Sequence, residues 1–455
     1  MSDLTLLGIE AAAAGLAAGE FTAEDLLTAY LARIEAREPA LNCFITPMPE
    51  LAVEQARASD LRRRDGRGLS PLDGLPIALK DNIHVAGVPT SNGMARYRTP
   101  GRDAEVVRRL KAAGAVLLGK LNMHEGALGG TTDNHHHGPT HNPWRQGHTP
   151  AGSSGGSGAA VAARLCIAAL GTDTLGSVRL PAAYCGVGGF KATTGLVSTR
   201  GVVPLSYQLD HVGPLCRSVH DLRAVLAVLA GPDRDSPESV HPHGALEPTA
   251  GDLAGAKVAV LPNVATSAVE DGVRARFEEA VTVLHGLGAR LVEVELPEFD
   301  AIRARLAGFL ISEAEAAFAL DDILTRRPEC LSRDFWQMLQ YGREAPAWRL
   351  VAAQRRVAEA GLAVRHLFEE IDFLISPTAP QTAFAFDRPA PVDQADFTQL
   401  ANYGRCPAIS LPCGLSADDL PVGLQIMAPP FADGRLLAVA ETVEAALPAM
   451  PAPPE

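Results

Sequence analysis

The sequence lacks the features that mark membrane and secreted proteins. It contains no stretch of about 20 apolar residues that could span a bilayer, and its first residues, MSDL, have no basic region that would begin an export signal. Its seven cysteines are dispersed, odd in number and without any CxxC pair, which favours reduced thiols over a disulfide framework or a zinc site. We therefore expect a cytoplasmic protein that does not contact a membrane.

Basic residues are also fewer than acidic residues. Lysine and arginine number 40 against 53 aspartate and glutamate residues, so the formal net charge is −13. A nucleic-acid surface needs clustered basic residues, and an acidic excess is typical of a solvated exterior. We expect no direct nucleic-acid partner.

Short apolar runs alternate with amphipathic stretches along most of the 455 residues. The predicted strands are 75–80, 115–118, 257–261, 290–295, 373–376 and 408–411, and the predicted helices are 22–37, 103–113 and 269–286. The first helix has a capping pattern, because Asp25 follows Thr22 by three residues. Such alternation indicates an α/β sheet with helical cover.

Two segments interrupt this alternation. Residues 231–252 contain four prolines among mixed polar residues, which predicts a loop. Residues 301–370 are predicted to be helical throughout. Because the sequence has no internal repeat, we expect a single domain over 1–455 with a helical excursion around 301–370.

Three segments carry residue types that suit nucleophilic catalysis: 74–83 (GLPIALKDNI), 151–158 (AGSSGGSG) and 171–182 (GTDTLGSVRLPA). Lys80 ends an apolar strand, where partial desolvation would lower the pKa of its amine and let the neutral form accept a proton. Glycines beside a serine allow several N–H groups to converge on one oxygen, as an oxyanion hole requires. Each segment alone also suits a structural turn; their combination indicates a site.

Together the three segments resemble the amidase signature family. Its members carry a lysine after a G-L-P-x-x-x-K run, a G-S-S-G-G-S loop and a nucleophilic serine in D-T-x-G-S-x-R. The first serine of that loop precedes the nucleophile by 24 positions in familiar members, as Ser153 precedes Ser177 here. Further segments that match are 118–123 (LGKLNM), 142–144 (NPW), 183–186 (AYCG), 210–214 (DHVGP) and 420–425 (LPVGLQ).

This resemblance implies a catalytic triad. Ser177 is the nucleophile that forms an acyl-enzyme, Ser153 relays the proton after a cis peptide bond to Gly152, and Lys80 is the base. Lys80 must be neutral in the resting enzyme to do so, and activity should therefore rise from neutral to mildly alkaline pH. The implied reaction transfers an acyl group from an amide to water and needs no cofactor or metal.

The resemblance also assigns roles around the triad and a fold. The oxyanion hole is implied to consist of the backbone N–H groups of Thr174, Leu175, Gly176 and Ser177. Asp173 and Arg179 are implied to organise this loop without reacting, and Gly129, Gly130 and Thr131 are implied to line the substrate pocket. The implied fold is one large α/β domain with a twisted mixed sheet covered by helices on both faces.

Three positions depart from the family pattern. Many members have glycine where this chain has Leu175 and Ala151, and their usual aspartate after N-M is His124 here. A leucine excludes a backbone conformation that only glycine adopts, and Leu175 could form an apolar wall that narrows the acyl pocket.

Two other motifs suggest different enzymes. Residues 152–156 fit the GxSxG elbow centred on Ser154, which would need a strand directly before it; the preceding residues 142–150 are instead polar. Residues 114–120 (GAVLLGK) resemble a P-loop, but their interior is an apolar strand and Leu121 stands where serine or threonine is required. Neither motif is expected to be functional.

Histidines and aromatic residues leave two further questions open. The spacing of His135, His136, His137 and His141 matches no standard metal-ligand set, and a loop at the rim of the pocket that touches substrate is the alternative. Three aromatic residues of the helical excursion are expected to be packing residues and not ligand contacts, although this region could also cover the pocket; they are Trp336, Tyr341 and Trp348.

The function remains open within one kind of chemistry. The first interpretation is an amidase that acts on a small-molecule amide. The second is the glutaminase subunit of a tRNA-dependent amidotransferase complex, whose partner would hold the RNA, and the third is a hydrolase of carbamates, ureas or biuret-like compounds. A non-enzymatic role would require loss of the triad. The oligomeric state is undetermined, and a homodimer is compatible with the sequence.

Overall fold

The computed structural model describes residues 3–240, 244–247, 249–297 and 299–455. Its strands are β1 (Phe44–Pro47), β2 (Pro76–Lys80), β3 (Val116–Leu121), β4 (Asp133–Asn134), β5 (Gly138–Pro139), β6 (Ala168–Asp173), β7 (Gly188–Lys191), β8 (His211–Cys216), β9 (Lys257–Val260), β10 (Arg290–Val292), β11 (Phe373–Pro377), β12 (Ala408–Leu415) and β13 (Pro421–Met427). Eleven of them form one sheet in the order β1-β3-β2-β6-β8-β7-β12-β13-β11-β9-β10, and β4 pairs with β5 alone.

The helices are α1 (Ile9–Ala18), α2 (Ala23–Leu41), α3 (Pro49–Arg64), α4 (Glu105–Ala112), α5 (Gly155–Ala162), α6 (Arg179–Cys185), α7 (Val219–Leu229), α8 (Asp271–Gly286), α9 (Ala301–Ala319), α10 (Asp321–Arg326), α11 (Arg333–Glu344), α12 (Ala347–Leu367), α13 (Gln399–Tyr403) and α14 (Asp433–Ala446). Four of them, α9 to α12, occupy the segment predicted to be helical.

The sheet is mixed, and its parallel part positions the candidate site. Strand β2 runs parallel to both β3 and β6, whereas β6 is antiparallel to β8. Because β2 and β6 are parallel neighbours, Lys80 and Asp173 end their strands at the same edge of the sheet. The predicted fold class is confirmed: the chain is a single α/β domain built on a mixed eleven-stranded sheet.

Most of the predicted elements are present. The capping box of α2 is confirmed, since Thr22 and Asp25 exchange side-chain to backbone hydrogen bonds. The strand expected at 290–295 is shorter, because regular pairing ends at Val292. The described part of 231–252 contains no helix or strand; residues 241–243 and 248 of that predicted loop lie outside the described residues.

Burial explains why most residues of the central strands are apolar. Every residue of β2, β3, β6 and β8 is buried, as expected for strands covered on both faces. All seven cysteines are buried and unpaired. Among the described residues, no helix combines the length and the apolar character needed to cross a membrane.

Candidate active site

Lys80 is the last residue of β2 and is fully buried. Its Nζ lies 2.7 Å from the Ser153 Oγ and 2.8 Å from the Thr172 Oγ1. Burial lowers the pKa of Lys80 to about 7, even though the charges of Asp210 and Asp173 act to raise it. A large fraction of this lysine is therefore neutral near pH 7, in hydrogen-bond contact with a serine.

Ser153 lies in the glycine-rich loop before α5, and its side chain is equally buried. The peptide bond between Gly152 and Ser153 is cis, as the resemblance implied. The Ser153 carbonyl accepts a hydrogen bond from the His124 backbone N–H at 3.0 Å. The loop is thus held against the segment that begins at His124.

Ser177 lies in the turn between β6 and α6 and is only half-buried. Within the described residues, its hydroxyl makes no hydrogen bond, and the backbone N–H groups of Thr174, Leu175, Gly176 and Ser177 have no acceptor. Consecutive N–H groups left free in a turn form a concave site for an oxygen that carries negative charge. The turn can therefore hold both a reactive hydroxyl and a developing oxyanion.

A buried ion pair joins the two ends of this turn. Arg179 and Asp173 are both fully buried, and the guanidinium donates to both carboxylate oxygens, at 2.8 and 3.0 Å. Burial alone would raise the pKa of Asp173, but the charge and hydrogen bonds of Arg179 outweigh it and hold the pKa below its usual range. Arg179 also donates to the Thr398 carbonyl, the Gln425 side chain and the Asn402 side chain.

The predicted pocket segment lies directly against the serine loop. A Cβ built on Gly152 would lie 2.8 Å from both the Gly129 carbonyl oxygen and the Thr131 amide nitrogen, so the two backbones touch. His124 packs on Gly129 so closely that a Cβ there would lie 2.2 Å from its Nε2, and its Nδ1 lies 3.2 Å from the Thr131 hydroxyl. Burial, and then the charge of Lys80, lower the pKa of His124 to about 4.

The structure thus brings together in space the three segments that the sequence singled out. A family model described as Amidase matches residues 25–437, which is most of the chain. The chain belongs to the amidase family.

Similar proteins match nearly the whole length of the chain. A glutamyl-tRNA(Gln) amidotransferase subunit from Chloroflexus aggregans is 39% identical over 475 residues, which cover 98% of this chain and 97% of the relative. A solved chain from an unexpected vestigial protein complex, which reveals the evolutionary origins of an s-triazine catabolic enzyme, has 34% identity and a TM-score of 0.89 and covers 96% and 98% of the two chains. A crystal structure of an amidase has 31% identity and a TM-score of 0.87, with 97% and 100% covered.

The two competing sequence motifs have structural roles. The Ser154 hydroxyl is fully buried and exchanges hydrogen bonds with the backbone of Thr172, donating at 3.1 Å and accepting at 3.2 Å. It therefore ties the loop to β6 and is not an exposed nucleophile. In the P-loop-like segment, Lys120 is buried in β3 and pairs with Asp81 at 3.0 Å.

The histidines near the pocket segment have different partners and do not form one cluster. The His136 Nε2 lies 3.1 Å from a carboxylate oxygen of Glu125, and the His137 Nε2 lies 3.0 Å from the Met94 carbonyl oxygen. His135 is exposed, and the His141 ring packs edge-on against that of Phe386. Within the described ranges, no group of three or more histidine, cysteine or acidic side chains converges as metal ligands would.

Two expectations about individual side chains need correction or comment. The aromatic residues of the helical excursion do not pack in the interior: Trp336, Tyr341 and Trp348 are 37%, 49% and 70% exposed, because they lie on the outward faces of α11 and α12. Leu175 does not adopt the left-handed backbone, but Ala151 does, with φ of 63°. Leu175 is nearly buried and approaches Gly308 of α9.

Several polar residues of the site were not predicted. Thr172 contacts Lys80, and Asn82 donates to the same Thr172 hydroxyl at 3.0 Å. The Asp210 carboxylate accepts a hydrogen bond from the Thr174 hydroxyl at 2.6 Å, and burial raises the pKa of Asp210 to about 6. Asp210 lay within one of the segments that matched the family, which was the signal available; the sequence alone did not reveal its contact with Thr174.

Proposed function

We propose that this chain hydrolyses the C–N bond of an amide through an acyl-enzyme on Ser177. The observation that carries the proposal is the contact of 2.7 Å between the Lys80 amine and the Ser153 hydroxyl. Both groups are buried, and the pKa of Lys80 lies near 7 because of that burial. A neutral amine next to a serine hydroxyl is what a proton relay requires.

The steps follow from these positions. Ser177 attacks the substrate carbonyl while its proton passes to Ser153, whose own proton passes to Lys80. The carbonyl oxygen becomes an oxyanion, which the free N–H groups of Thr174 to Ser177 stabilise. The proton then returns through Ser153 to the leaving nitrogen, and the C–N bond breaks. Water attacks the acyl-enzyme next: its proton passes through Ser153 to Lys80 and then returns to the Ser177 oxygen, whose bond to the acyl group breaks as the acid is released.

Asp173 and Arg179 act as positioning residues in this proposal. Their buried ion pair fixes the end of β6 and the start of α6, and the Asp173 carboxylate accepts the Val178 N–H at 3.2 Å. Because both ends of the turn are held, the N–H groups between them keep their orientation before substrate arrives. Such preorganisation is the main source of oxyanion stabilisation. Gly129, Gly130 and Thr131 form the neighbouring wall of the substrate pocket.

A second function is favoured by the relative from Chloroflexus aggregans. That protein is one subunit of a glutamyl-tRNA(Gln) amidotransferase, and it matches nearly the whole chain. In this alternative the same triad releases ammonia from glutamine while a partner chain is bound. Hydrolysis of a carbamate, urea or biuret-like compound uses the same acyl-enzyme steps and is the third candidate.

The test is release of ammonia or amine by the purified chain alone. The panel holds small aliphatic amides, aromatic amides, an anilide, a carbamate, a urea, biuret and glutamine. Ser177→Ala is the blank, and its turnover should fall by about 10⁴-fold or more. Release from simple amides supports the stand-alone amidase, and release from the carbamate, urea or biuret supports the third candidate.

One outcome would count against a stand-alone amidase, and another against the acyl-enzyme itself. Activity on glutamine alone would favour the amidotransferase interpretation and call for the partner chain. Equal turnover by the wild type and Ser177→Ala on every substrate would refute Ser177 as the nucleophile.

A further inference from the structure

A second concave site lies behind the proposed oxyanion turn. Its volume is about 460 Å³, and it is formed between α12, α13 and the loops that follow β7 and β13. This volume lies in the range of cavities that hold small ligands. The polar residues that line it include Thr193, Thr194, Gln208 and Asn402.

The charged side chains that line this cavity, among the described residues, are all positive. Arg365 and Arg405 both line it, and no acidic residue among those the structure describes does so. Within the same described part of the chain, neither guanidinium forms an ion pair or a hydrogen bond. The nearby carboxylate of Asp433 is fully buried and is already bound by the backbone N–H and hydroxyl of Thr193. Two unpaired guanidinium groups at one cavity suit an anion with several oxygens.

Two residues that line this cavity have a strained backbone conformation. Among the described residues, nine that are not glycine have a positive φ, and three of them, Ala127, Thr132 and Ala151, lie in or beside the loops of the proposed active site. Two others, Arg405 at 59° and Phe431 at 70°, line this cavity. Left-handed non-glycine residues are energetically unfavourable and cluster at ligand sites, where the surrounding structure maintains them.

Side chains that line the cavity are also connected to the oxyanion turn by hydrogen bonds. Asn402 lines the cavity, and its side chain donates to the Asp173 carboxylate at 2.9 Å and accepts from Arg179 at 2.7 Å. Thr194 reaches Asp173 by a second route, because its hydroxyl lies 2.8 Å from the His211 Nε2 and the His211 Nδ1 lies 3.2 Å from the Asp173 carbonyl oxygen.

We propose that this cavity binds a small organic anion with a carboxylate or phosphate group, held by Arg365 and Arg405, and that its occupancy acts on the turn at 173–179. The two guanidinium groups supply the affinity. The ligand would contact Asn402 and Thr194 and would shift the hydrogen bonds that hold Asp173. The site is separate from the proposed catalytic triad, and its binding step does not depend on any turnover.

Calorimetry on the purified full chain tests binding with three probes: inorganic phosphate, malonate and citrate, at constant ionic strength in chloride. We expect saturable binding of at least one probe at a ratio of one per chain. Arg365→Gln and Arg405→Gln should each weaken it about tenfold or more, since a hydrogen-bonded charge is lost. Arg356→Gln is the matched control, because Arg356 lies on the same helix, is exposed and does not line the cavity.

The probes also separate the two ligand classes. Binding of phosphate without malonate or citrate assigns a phosphate ligand, and the reverse assigns a carboxylate. No saturable binding of any probe up to about 10 mM would overturn the site, as would equal affinities in the two variants and the Arg356→Gln control. The effect on the turn is tested by kcat with the probe at saturation: a change in the wild type that Arg405→Gln lacks supports it, and an unchanged kcat overturns that part.

Discussion

The low pKa of Lys80 leads to a prediction about pH. Burial moves the pKa of this lysine from 10.5 to about 7, which corresponds to about 5 kcal/mol against its charged form. Since only the neutral amine can act as base, kcat/KM should rise with pH and reach half its maximum near pH 7. It should fall to about one-tenth of the maximum at pH 6 and about one-hundredth at pH 5.

A substitution of Asp210 makes this prediction sharper. The charge of Asp210 acts to raise the pKa of Lys80, so Asp210→Asn should lower that pKa and move the rise in kcat/KM to lower pH. The assay is the pH profile of kcat/KM for wild type and variant on the best substrate of the panel, at constant ionic strength. The reasoning is refuted by a flat wild-type profile from pH 5 to 9, or by a rise that follows the usual lysine pKa near 10.

The same pKa predicts a change in stability. At pH 7 the Lys80 amine is charged in the unfolded chain, whereas in about half of the folded molecules it is neutral. The lowered pKa therefore opposes folding by about 4 kcal/mol at this pH. Lys80→Met removes this cost but loses two hydrogen bonds of about 1 kcal/mol each. The variant should therefore be inactive yet more stable at pH 7 by about 2 kcal/mol in urea unfolding.

The sign of this effect depends on pH in a defined way. Because the folded pKa lies below the unfolded one, the stability of the wild type rises with pH between about 7 and 10.5, relative to Lys80→Met. The advantage of the variant should therefore shrink as the pH increases. A variant less stable than the wild type at pH 7 would show that the buried lysine is better accommodated than its lowered pKa indicates.

Three further predictions concern neighbouring residues. Ser153→Ala should abolish turnover. Ser154→Ala should keep turnover but lower the free energy of unfolding by about 1–3 kcal/mol. Loss of turnover only in Ser154→Ala would favour the GxSxG interpretation. Arg179→Met should cost about 3–5 kcal/mol in urea unfolding, since it leaves the Asp173 carboxylate buried without its partner, and a cost below about 1 kcal/mol would contradict that role. His124→Asp adds a negative charge near Lys80 and should move the rise in kcat/KM to higher pH, while His124→Asn should not; identical profiles for both variants would show that position 124 does not act on the lysine.

The parts of the fold that follow from neighbouring residues were predictable. The capping box of α2 needs only Thr22 and Asp25, and the buried strand β2 follows from an apolar run that ends at Lys80. The segments that form β8 and β13 were recognised by their match to the family, but they were not predicted to be strands. Continuous apolar or glycine-rich runs of this length do not distinguish a strand from other buried structure.

The outward position of Trp348 shows where such reasoning fails. Its hydrophobicity predicts burial, but the face of α12 that meets the protein is decided by the neighbours of that helix. The same holds for the shortened β10, whose pairing with β9 ends at Val292.

The sequence by itself determined the family, the α/β alternation and the candidate triad, because these depend on residue types at fixed spacings along the chain. Only the tertiary structure decided the electrostatics of the site. Lys80 meets Ser153 and Thr172 across 73 and 92 positions, and Arg179 meets Gln425 across 246. The pKa of a buried group is set by the solvent it loses and by the charges that surround it, and both arise from contacts that no local pattern contains.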